Sequence, residues 1–364
     1  MTPQTFNISD VITWLRFPMI VGIILLHTPI IDRCIGGTVY YPSDNFPVLN
    51  VICNHVLKAD ICEAFVPLFF FISGFLFFYR AVPFTREIYV RKLRSRLHTL
   101  MVPYLLWNTA FMCFVALIHW LMPSLLSEKR SFVEMSLPEI AGAYWDLNQG
   151  LIPLWFIRDL MIVNLFTPLI YVCLRGRHGI YVVLALAALF LSGHYHYIPG
   201  IGMRCAFPYI LGAWFSVNEK SFIIRRKQLR VVMMVICLLS LAVETVLYVV
   251  NGPTFWQNRL LLIVMLMTIP QMVASGLEAG SLTVRRSWAD SSFFAFVFHM
   301  FIIYIPVYTL VRILPVNTFV GLSLQLLIPV LVGVACHVIF RWVRGVLPAF
   351  GNFIVGKRLP GNNL

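Results

Sequence analysis

Charge is scarce in this 364-residue sequence. Asp, Glu, Lys and Arg together make up 12% of the residues, whereas a soluble domain carries about 25%. Hydrophobic residues make up 60%, and a soluble chain of this composition could not cover its surface with polar groups. The composition therefore excludes an ordinary soluble protein and favours one that lies in a lipid bilayer.

Several signatures of soluble enzymes and binding proteins are also missing. The eight cysteines form no CxxC pair or Cys–His cluster, and His194 and His196 lack further ligands, so we predict no metal site. No GxSxG nucleophile elbow is present. The net charge of +13 comes from short basic clusters between apolar runs, not from a basic stripe with interleaved aromatics. We therefore expect no nucleic-acid partner.

Long apolar runs are what the sequence does contain. Several reach the roughly 20 residues that a membrane-spanning helix needs. We predict an all-α, polytopic membrane protein with about ten transmembrane helices. The predicted spans lie near 11–31, 61–80, 99–122, 153–174, 180–193, 201–217, 231–250, 259–277, 293–313 and 319–342.

The distribution of basic residues predicts the orientation. If the N-terminus is cytoplasmic, the inner segments hold 19 of the 28 Lys and Arg residues, and the outer segments hold four. Inner loops of membrane proteins carry this excess. We therefore expect both termini to be cytoplasmic. We also expect one integral-membrane domain over 1–364, with its core at 11–342 and a cytoplasmic C-terminal tail at 343–364.

Two ionisable residues in the first span are candidates for function, because charge at membrane depth is costly. Arg16 and His27 are eleven residues apart, which places them within about 20° on one helix face and about 16 Å apart along the axis. The structural alternatives are a snorkelling Arg16 and a His27 that is satisfied by a neighbouring helix. Their shared face favours a joint functional role.

Further candidates follow along the chain. Arg91 and Arg94 present two guanidiniums on one helical turn, a fork that suits phosphate oxygens, although an ordinary positive-inside anchor has the same composition. Ser73 precedes Gly74 in an aromatic run, where small residues usually allow close helix approach; a nucleophile is the sharper alternative.

Three groups of residues have open roles. Arg158 and Asp159 open the fourth span and either bind substrate, pair with groups on other helices or anchor the helix end. His299, in the ninth span, reads more readily as a packed core histidine than as a catalyst. Cysteines 34, 53 and 62 lie in or next to the first outer loop, so a disulfide between two of them is an option if that side is oxidising. Its connectivity stays open.

These motifs together resemble the acyltransferase-3 family of integral-membrane O-acyltransferases, over residues 11 to about 340. The elements that carry the resemblance are Arg16 with His27, the Phe-Phe-x-x-Ser-Gly-Phe-Leu-like block ending at Leu76, the Arg-x-x-Arg element at Arg91 and Arg94, and Pro103-Tyr104.

The resemblance implies transfer of an acyl group, usually acetyl, from cytoplasmic acyl-CoA to a hydroxyl of a surface glycan or lipid-linked sugar. It implies a bacterial inner membrane and no metal. Arg91 and Arg94 would bind the CoA phosphates, Arg16 would lie along the donor's path, and His27 would be the general base. An acyl-histidine intermediate is the alternative chemistry. Arg158, Asp159 and Ser73 are weaker candidates for substrate contacts.

A secondary transporter or flippase is the rival from another functional class. Buried charge and basic inner loops suit it equally well, but it predicts inverted halves with interrupted helices. Spans one to five do not recur in six to ten. A membrane scaffold without chemistry would leave Arg16 and His27 unexplained. The sequence does not predict the oligomeric state.

Overall fold

The architecture was obtained from a computed structural model. The structure describes residues 7–28, 30–31, 33–35, 38–40, 46–122, 129–252, 255–313 and 317–356. Within these ranges, the side chains of 33–35, 38–40, 255–257 and 304–312 are outside the description.

Helices dominate the described residues. The α-helices are α1 (Ile8–Leu26), α2 (Pro47–Asn50), α3 (Phe65–Phe78), α4 (Arg86–Arg96), α5 (Val102–Leu121), α6 (Leu137–Trp145), α7 (Trp155–Leu165), α8 (Thr167–Leu174), α9 (Gly179–Ser192), α10 (Met203–Val217), α11 (Lys227–Asn251), α12 (Phe255–Glu278), α13 (Arg286–Ile313), α14 (Thr318–Val346) and α15 (Pro348–Ile354). Two short antiparallel strands, β1 (Arg33–Ile35) and β2 (Thr38–Tyr40), form a hairpin after α1. The prediction of an all-α, polytopic membrane protein is confirmed.

The count of ten spans is not confirmed. Among the described residues, six helices are long and apolar enough to cross a membrane, or seven if α7 and α8, bent by 63° at their junction, form one broken span. Each remaining predicted span does coincide with a helix. However, α9 has 14 residues and α10 has 15, fewer than the roughly 20 that a straight crossing needs. Helix α13 has 28 residues, but the side chains of 304–312 within it are not described.

Two segments predicted as loops are helical instead. The second half of the predicted first outer loop forms α2 and then a π-helix at Val51–Cys62, so the second span extends back to Pro47. The predicted inner loop after α3 contains α4, which continues through a short π-helical turn at Leu97–Met101 into α5. Charged residues lower the hydropathy of both segments, so neither resembles a membrane span in sequence. Neither segment contains an internal residue that would end a helix. Pro103, which follows the second segment, lies in the first turn of α5, where proline is tolerated.

The close packing of α3 against α10 explains the Ser-Gly pair in the aromatic run. A Cβ atom added at Gly74 would lie 2.0 Å from the carbonyl oxygen of Tyr209, and one added at Gly212 would lie 1.9 Å from that of Phe71. Only glycine allows the two backbones to approach so closely. This contact fixes α3 and therefore the direction in which Ser73 faces.

Helix α11 shows how the fold faces lipid. Its buried residues are Arg230, Cys237 and Glu244, each seven residues from the next, and they form one stripe. Most of the remaining surface is apolar and exposed, including Leu238 and Val249. An apolar surface of this extent is stable in hydrocarbon and unfavourable in water.

The chain returns to the bundle after α14. Helix α15 packs beside α5, where the indole N–H of Trp107 donates to the carbonyl oxygen of Ile354 at 2.8 Å. Ile354 and Val355 are buried. Part of the predicted C-terminal tail is therefore docked on the helical core.

Candidate active site

A large cavity runs along α1 in the described part of the chain. Its volume is about 1510 Å³, above the roughly 300–1,000 Å³ typical of small-molecule pockets. Lining residues on α1 extend from Ser9 through Arg16 to His27, which corresponds to about 27 Å of helix. The hydrocarbon core of a bilayer is about 30 Å thick, so the cavity is almost as long as that core is thick.

One end of this cavity, which we call the histidine end, is formed by the C-terminus of α1. His27 is the C-cap residue of α1, and its backbone N–H donates to the carbonyl oxygens of Ile23 and Ile24. Its ring lies 5.4 Å from the ring of His299 on α13, centroid to centroid. His299 is fully buried, and its Nδ1 lies 3.0 Å from the carbonyl oxygen of Ala295. Its Nε2 has no hydrogen-bond partner in the described part of the chain.

The other end, which we call the basic end, collects cations from three elements. Arg80 follows α3, Lys92 and Arg96 lie one turn apart on α4, and Arg286 begins α13. These four positive charges outnumber the two carboxylates, Asp10 and Asp290, that line the cavity near them, and create a field that attracts anions. This end suits a ligand with phosphate groups.

Arg16 lies on the cavity wall between the two ends. Asp290 of α13 is close enough to Arg16 to interact with it electrostatically. The Oδ2 atom of Asp290 also lies 3.9 Å from Nη1 of Arg344. No hydrogen bond to the guanidinium of Arg16 occurs within the described ranges. Its five N–H donors therefore face a cavity with their hydrogen-bonding capacity available.

Arg91 and Arg94, the predicted phosphate fork, do not line this cavity. They line a second, smaller pocket of about 710 Å³ together with Arg86, Val90 and His98. Ser95 lines both pockets, so the second pocket adjoins the basic end. Both arginines are exposed.

The middle of the cavity is lined by Ser73 and by an aromatic wall. Ser73 is half-buried on α3 and reaches the cavity, because Gly74 on its other side is held against α10. Phe69, Trp155 and Phe156 line the cavity nearby. The ring of Phe156 contacts that of Phe70 at 4.5 Å. This wall gives an acyl chain or the uncharged arm of a donor an apolar surface.

Arg158 and Asp159 face away from the cavity. Arg158 Nε donates to Asp159 Oδ1 at 3.0 Å, and its Nη atoms donate to the carbonyl oxygen of Trp145 and to the hydroxyl of Tyr197. The Tyr197 hydroxyl also contacts Asp159 Oδ2 at 3.1 Å. Burial, followed by the charge of Asp159, raises the pKa of Tyr197 to about 12. Arg158, Asp159 and Tyr197 thus hydrogen-bond to one another and have partners within the protein.

The sequence left open a disulfide between two of the cysteines at 34, 53 and 62. Cys53 and Cys62 are buried free thiols, and the side chain of Cys34 lies outside the described residues. No disulfide occurs between Cys53 and Cys62.

The sequence did not single out Lys92, Arg96 or Asp290, and it favoured a packing role over a catalytic one for His299. Lys92 and Arg96 were visible in the basic cluster, and their spacing of four is a helical-face signal. Which of the two faces of α4 meets the cavity depends on tertiary packing. The approach of His299 to His27 joins helices that are far apart in sequence, and no local pattern encodes it.

Comparison with known proteins decides the family. A family model described as an acyltransferase domain matches residues 10–342. The chain belongs to the acyltransferase-3 family. The resemblance seen in the sequence is therefore confirmed.

One curated relative of this chain adds detail. The succinoglycan biosynthesis protein ExoH of Rhizobium meliloti (strain 1021) is 27% identical over 194 residues, which cover 50% of this chain and 47% of the relative. The match thus spans about half the length of each protein. No solved structure matches the chain.

Proposed function

We propose that this acyltransferase moves an acyl group, acetyl in the simplest case, from cytoplasmic acyl-CoA to a hydroxyl of a surface glycan or lipid-linked sugar. The observation that carries the proposal is the cavity that joins the basic end to His27 over a length close to the thickness of a bilayer's hydrocarbon core. A relative named for succinoglycan biosynthesis supports a polysaccharide acceptor.

The donor enters at the basic end. Lys92 and Arg96 line the cavity there, and Arg91 and Arg94 line the adjoining pocket. Acyl-CoA carries phosphates at two places on its nucleotide, so one donor molecule can bind both sets of cations, with Ser95 between them. Guanidinium and ammonium groups make charge-assisted hydrogen bonds to phosphate oxygens. The uncharged pantetheine arm then extends along the aromatic wall past Ser73.

Arg16 holds the donor between the two ends. Its guanidinium faces the cavity eleven residues before His27, or about 16 Å along the helix axis. A planar group with several donors can bind a phosphate or amide oxygen of the donor and keep the thioester pointed at His27.

His27 then acts as the general base. It takes the proton of the acceptor hydroxyl while that oxygen attacks the thioester carbonyl carbon, the carbon–sulfur bond breaks, and the CoA thiolate leaves and takes up a proton. An imidazole nitrogen can both remove a proton and return one. His299 packs beside His27 and limits where its ring can lie. In the alternative chemistry, a His27 nitrogen carries the acyl group as an intermediate.

The proposed membrane is the bacterial inner membrane, with both termini cytoplasmic. The support is the excess of Lys and Arg in alternate connecting segments. Reporter fusions or cysteine labelling should place 218–230 on the cytoplasmic side and 123–150 outside. An external location for 218–230 would contradict this orientation and place the basic end on the wrong face for cytoplasmic acyl-CoA.

The central test is transfer across a bilayer. Vesicles containing the purified protein and internal acyl-CoA with a labelled acyl group are given a polysaccharide or lipid-linked sugar outside. We expect label to appear covalently on a hydroxyl of the external acceptor while CoA stays inside. Vesicles without protein, and vesicles with acyl-CoA supplied only outside, are the controls. Export of intact acyl-CoA or of free acid without acceptor labelling would support a transporter instead.

A further inference from the structure

Apart from the cavity, three buried ionisable side chains meet at one point. They are His55 and Asp60 on the π-helix at Val51–Cys62, and Glu244 on α11. Their exposed fractions are 9%, 1% and 4%. One nitrogen or oxygen atom from each lies within 4.8 Å of the others.

The π-helix is what brings His55 and Asp60 together. In an α-helix, residues five apart point about 140° away from each other around the axis. A π-helix forms i→i+5 hydrogen bonds, so its wider turn places residues five apart close to one face. His55 Nε2 consequently lies 3.6 Å from Asp60 Oδ2. Such helices are rare and frequently mark functional sites.

The neighbouring helices hold this group in place. Glu244 belongs to the buried stripe of α11, and its Oε2 lies 2.8 Å from His55 Nε2. One turn later, the ring of Tyr248 stacks on the imidazole of His55 with centroids 3.5 Å apart and planes 11° apart. The stacked ring fixes the direction of the His55 nitrogens.

Asp60 has one oxygen held and one oxygen available. Its Oδ1 accepts a hydrogen bond from the side-chain amide of Asn258 at 3.0 Å. Its Oδ2 is fully buried, points at His55 and Glu244, and has no hydrogen-bond partner among the described residues. An acceptor buried without a partner costs free energy. Two carboxylates around one imidazole also form a group with excess negative charge unless a cation or protons balance it.

We propose that His55, Asp60 and Glu244 bind one divalent transition-metal ion. One imidazole nitrogen with two carboxylate oxygens suits Zn²⁺ or a similar ion, whereas Ca²⁺ and Mg²⁺ prefer oxygen ligands alone. Ligand atoms about 2 Å from a tetrahedral ion lie roughly 3.3 Å apart. The His55–Asp60 distance is near this value, and the His55–Glu244 contact needs to open by only about half an ångström.

The ion clamps peripheral elements to one another. It links the π-helical segment to α11, whose other faces meet lipid. The hydrogen bond from Asn258 to Asp60 extends this connection to α12. Because Glu244 is far in sequence from His55 and Asp60, the site forms only when the chain has folded. Metal binding therefore favours the folded state. This role is independent of the proposed transfer reaction.

The test measures metal binding and stability on the full chain in detergent or nanodiscs, carrying a purification tag without histidine. After chelation and desalting, Zn²⁺ is titrated by calorimetry, and bound metal is counted by elemental mass spectrometry. We expect one Zn²⁺ per chain that excess Ca²⁺ does not displace, and a higher midpoint of thermal unfolding with Zn²⁺ than with chelator. Asp60→Asn and Glu244→Gln should weaken binding by more than the about 10–100-fold that loss of an outer-shell partner costs.

Glu63→Gln is the matched control, because Glu63 is a carboxylate three residues from Asp60 that pairs with Arg204 instead. It should bind Zn²⁺ like the wild type. If a ligand variant does not fold, the wild-type titration and its zinc-dependent midpoint still decide the matter. Absence of saturable binding in the wild type would overturn the proposal and leave a hydrogen-bonded His–carboxylate group. Equal binding by folded Asp60→Asn protein would show an adventitious ion only.

Discussion

Arg16 and Arg158 are two arginines within apolar helices, and the structure treats them in opposite ways. Arg158 donates to Asp159, to the carbonyl oxygen of Trp145 and to Tyr197. Arg16 has Asp290 as an electrostatic neighbour and faces the cavity with no hydrogen bond in the described part of the chain. Sequence alone made both residues candidates for the same site.

The difference shows what marks a functional charge in a membrane protein. Placing a charge at membrane depth is costly, and a protein can offset that cost with internal partners or with a bound ligand. Arg158 has internal partners and is explained by structure alone. Arg16 has donors that face open space along the donor's proposed path, so a ligand is the partner that fits.

The largest expected effect concerns His27, which shares the cavity wall with Arg16. His27→Gln keeps a hydrogen-bonding side chain but cannot accept the proton from the acceptor hydroxyl. Loss of a positioned base typically lowers the rate by about 10²–10⁴. We expect a rate loss of that size in vesicle transfer assays, with acyl-CoA affinity unchanged.

His194→Gln is the matched control for this experiment, because His194 lies on an exposed turn between α9 and α10. It should transfer acyl groups at the wild-type rate. Near wild-type turnover by His27→Gln would return His27 to a structural role and remove the general base from the mechanism.

The second prediction compares variants of Arg158 and Arg16 directly. Arg158→Met leaves Asp159, which is fully buried, without its cation, and breaking a buried pair in this way costs about 3–5 kcal/mol of stability. Arg16→Lys should leave the unfolding midpoint nearly unchanged but weaken acyl-CoA binding, because an ammonium cannot reproduce the planar fork. The measurements are thermal unfolding and donor affinity for each variant.

The double variant Arg158→Met with Asp159→Leu completes this test. Removing both charges should restore much of the stability lost in Arg158→Met and leave transfer intact. A stable double variant that no longer acylates the acceptor would show that the pair binds substrate, one of the roles that the sequence leaves open, and would remove the contrast with Arg16.

The sequence predicted the membrane class because hydropathy is a local property, and each predicted span coincides with a helix. It also predicted that Arg16 and His27 share a face, since eleven residues make almost three full turns, and both line one cavity. It did not predict that α4 turns Lys92 and Arg96 toward the cavity, because this depends on how α4 packs. Nor could it predict that His55 meets Asp60, because 32–60 was predicted as an outer loop and the π-helix that brings the two residues together has no sequence signal here.

The third prediction separates the two faces of α4. Charge-assisted contacts are each worth about 1.5–3 kcal/mol, so losing two should raise the dissociation constant of acyl-CoA at least roughly tenfold. We expect this loss for Arg91→Ala with Arg94→Ala and also for Lys92→Ala with Arg96→Ala, if one donor spans both pockets. Equilibrium binding of acyl-CoA to each double variant is the measurement.

Arg175→Ala with Arg177→Ala is the control pair, since both residues are exposed in another basic segment that lies apart from the two pockets. Its affinity should match the wild type. Unchanged affinity in the Arg91 and Arg94 variant alone would limit donor binding to the cavity mouth and leave Arg91 and Arg94 as orientation anchors.

The smallest effect is expected at the edge of the Arg158 group. Tyr197→Phe removes one hydroxyl that bonds both Arg158 and Asp159, but the ion pair between them remains. A hydrogen bond contributes about 0.5–1.5 kcal/mol net, so thermal unfolding should occur at a slightly lower temperature while the transfer rate stays at the wild-type value. Tyr181→Phe, on the exposed surface of α9, should change neither quantity. A loss of transfer in folded Tyr197→Phe protein would mean that the hydrogen-bonded group of Arg158, Asp159 and Tyr197 affects the reaction. The number of internal hydrogen-bond partners would then no longer distinguish Arg158 from Arg16.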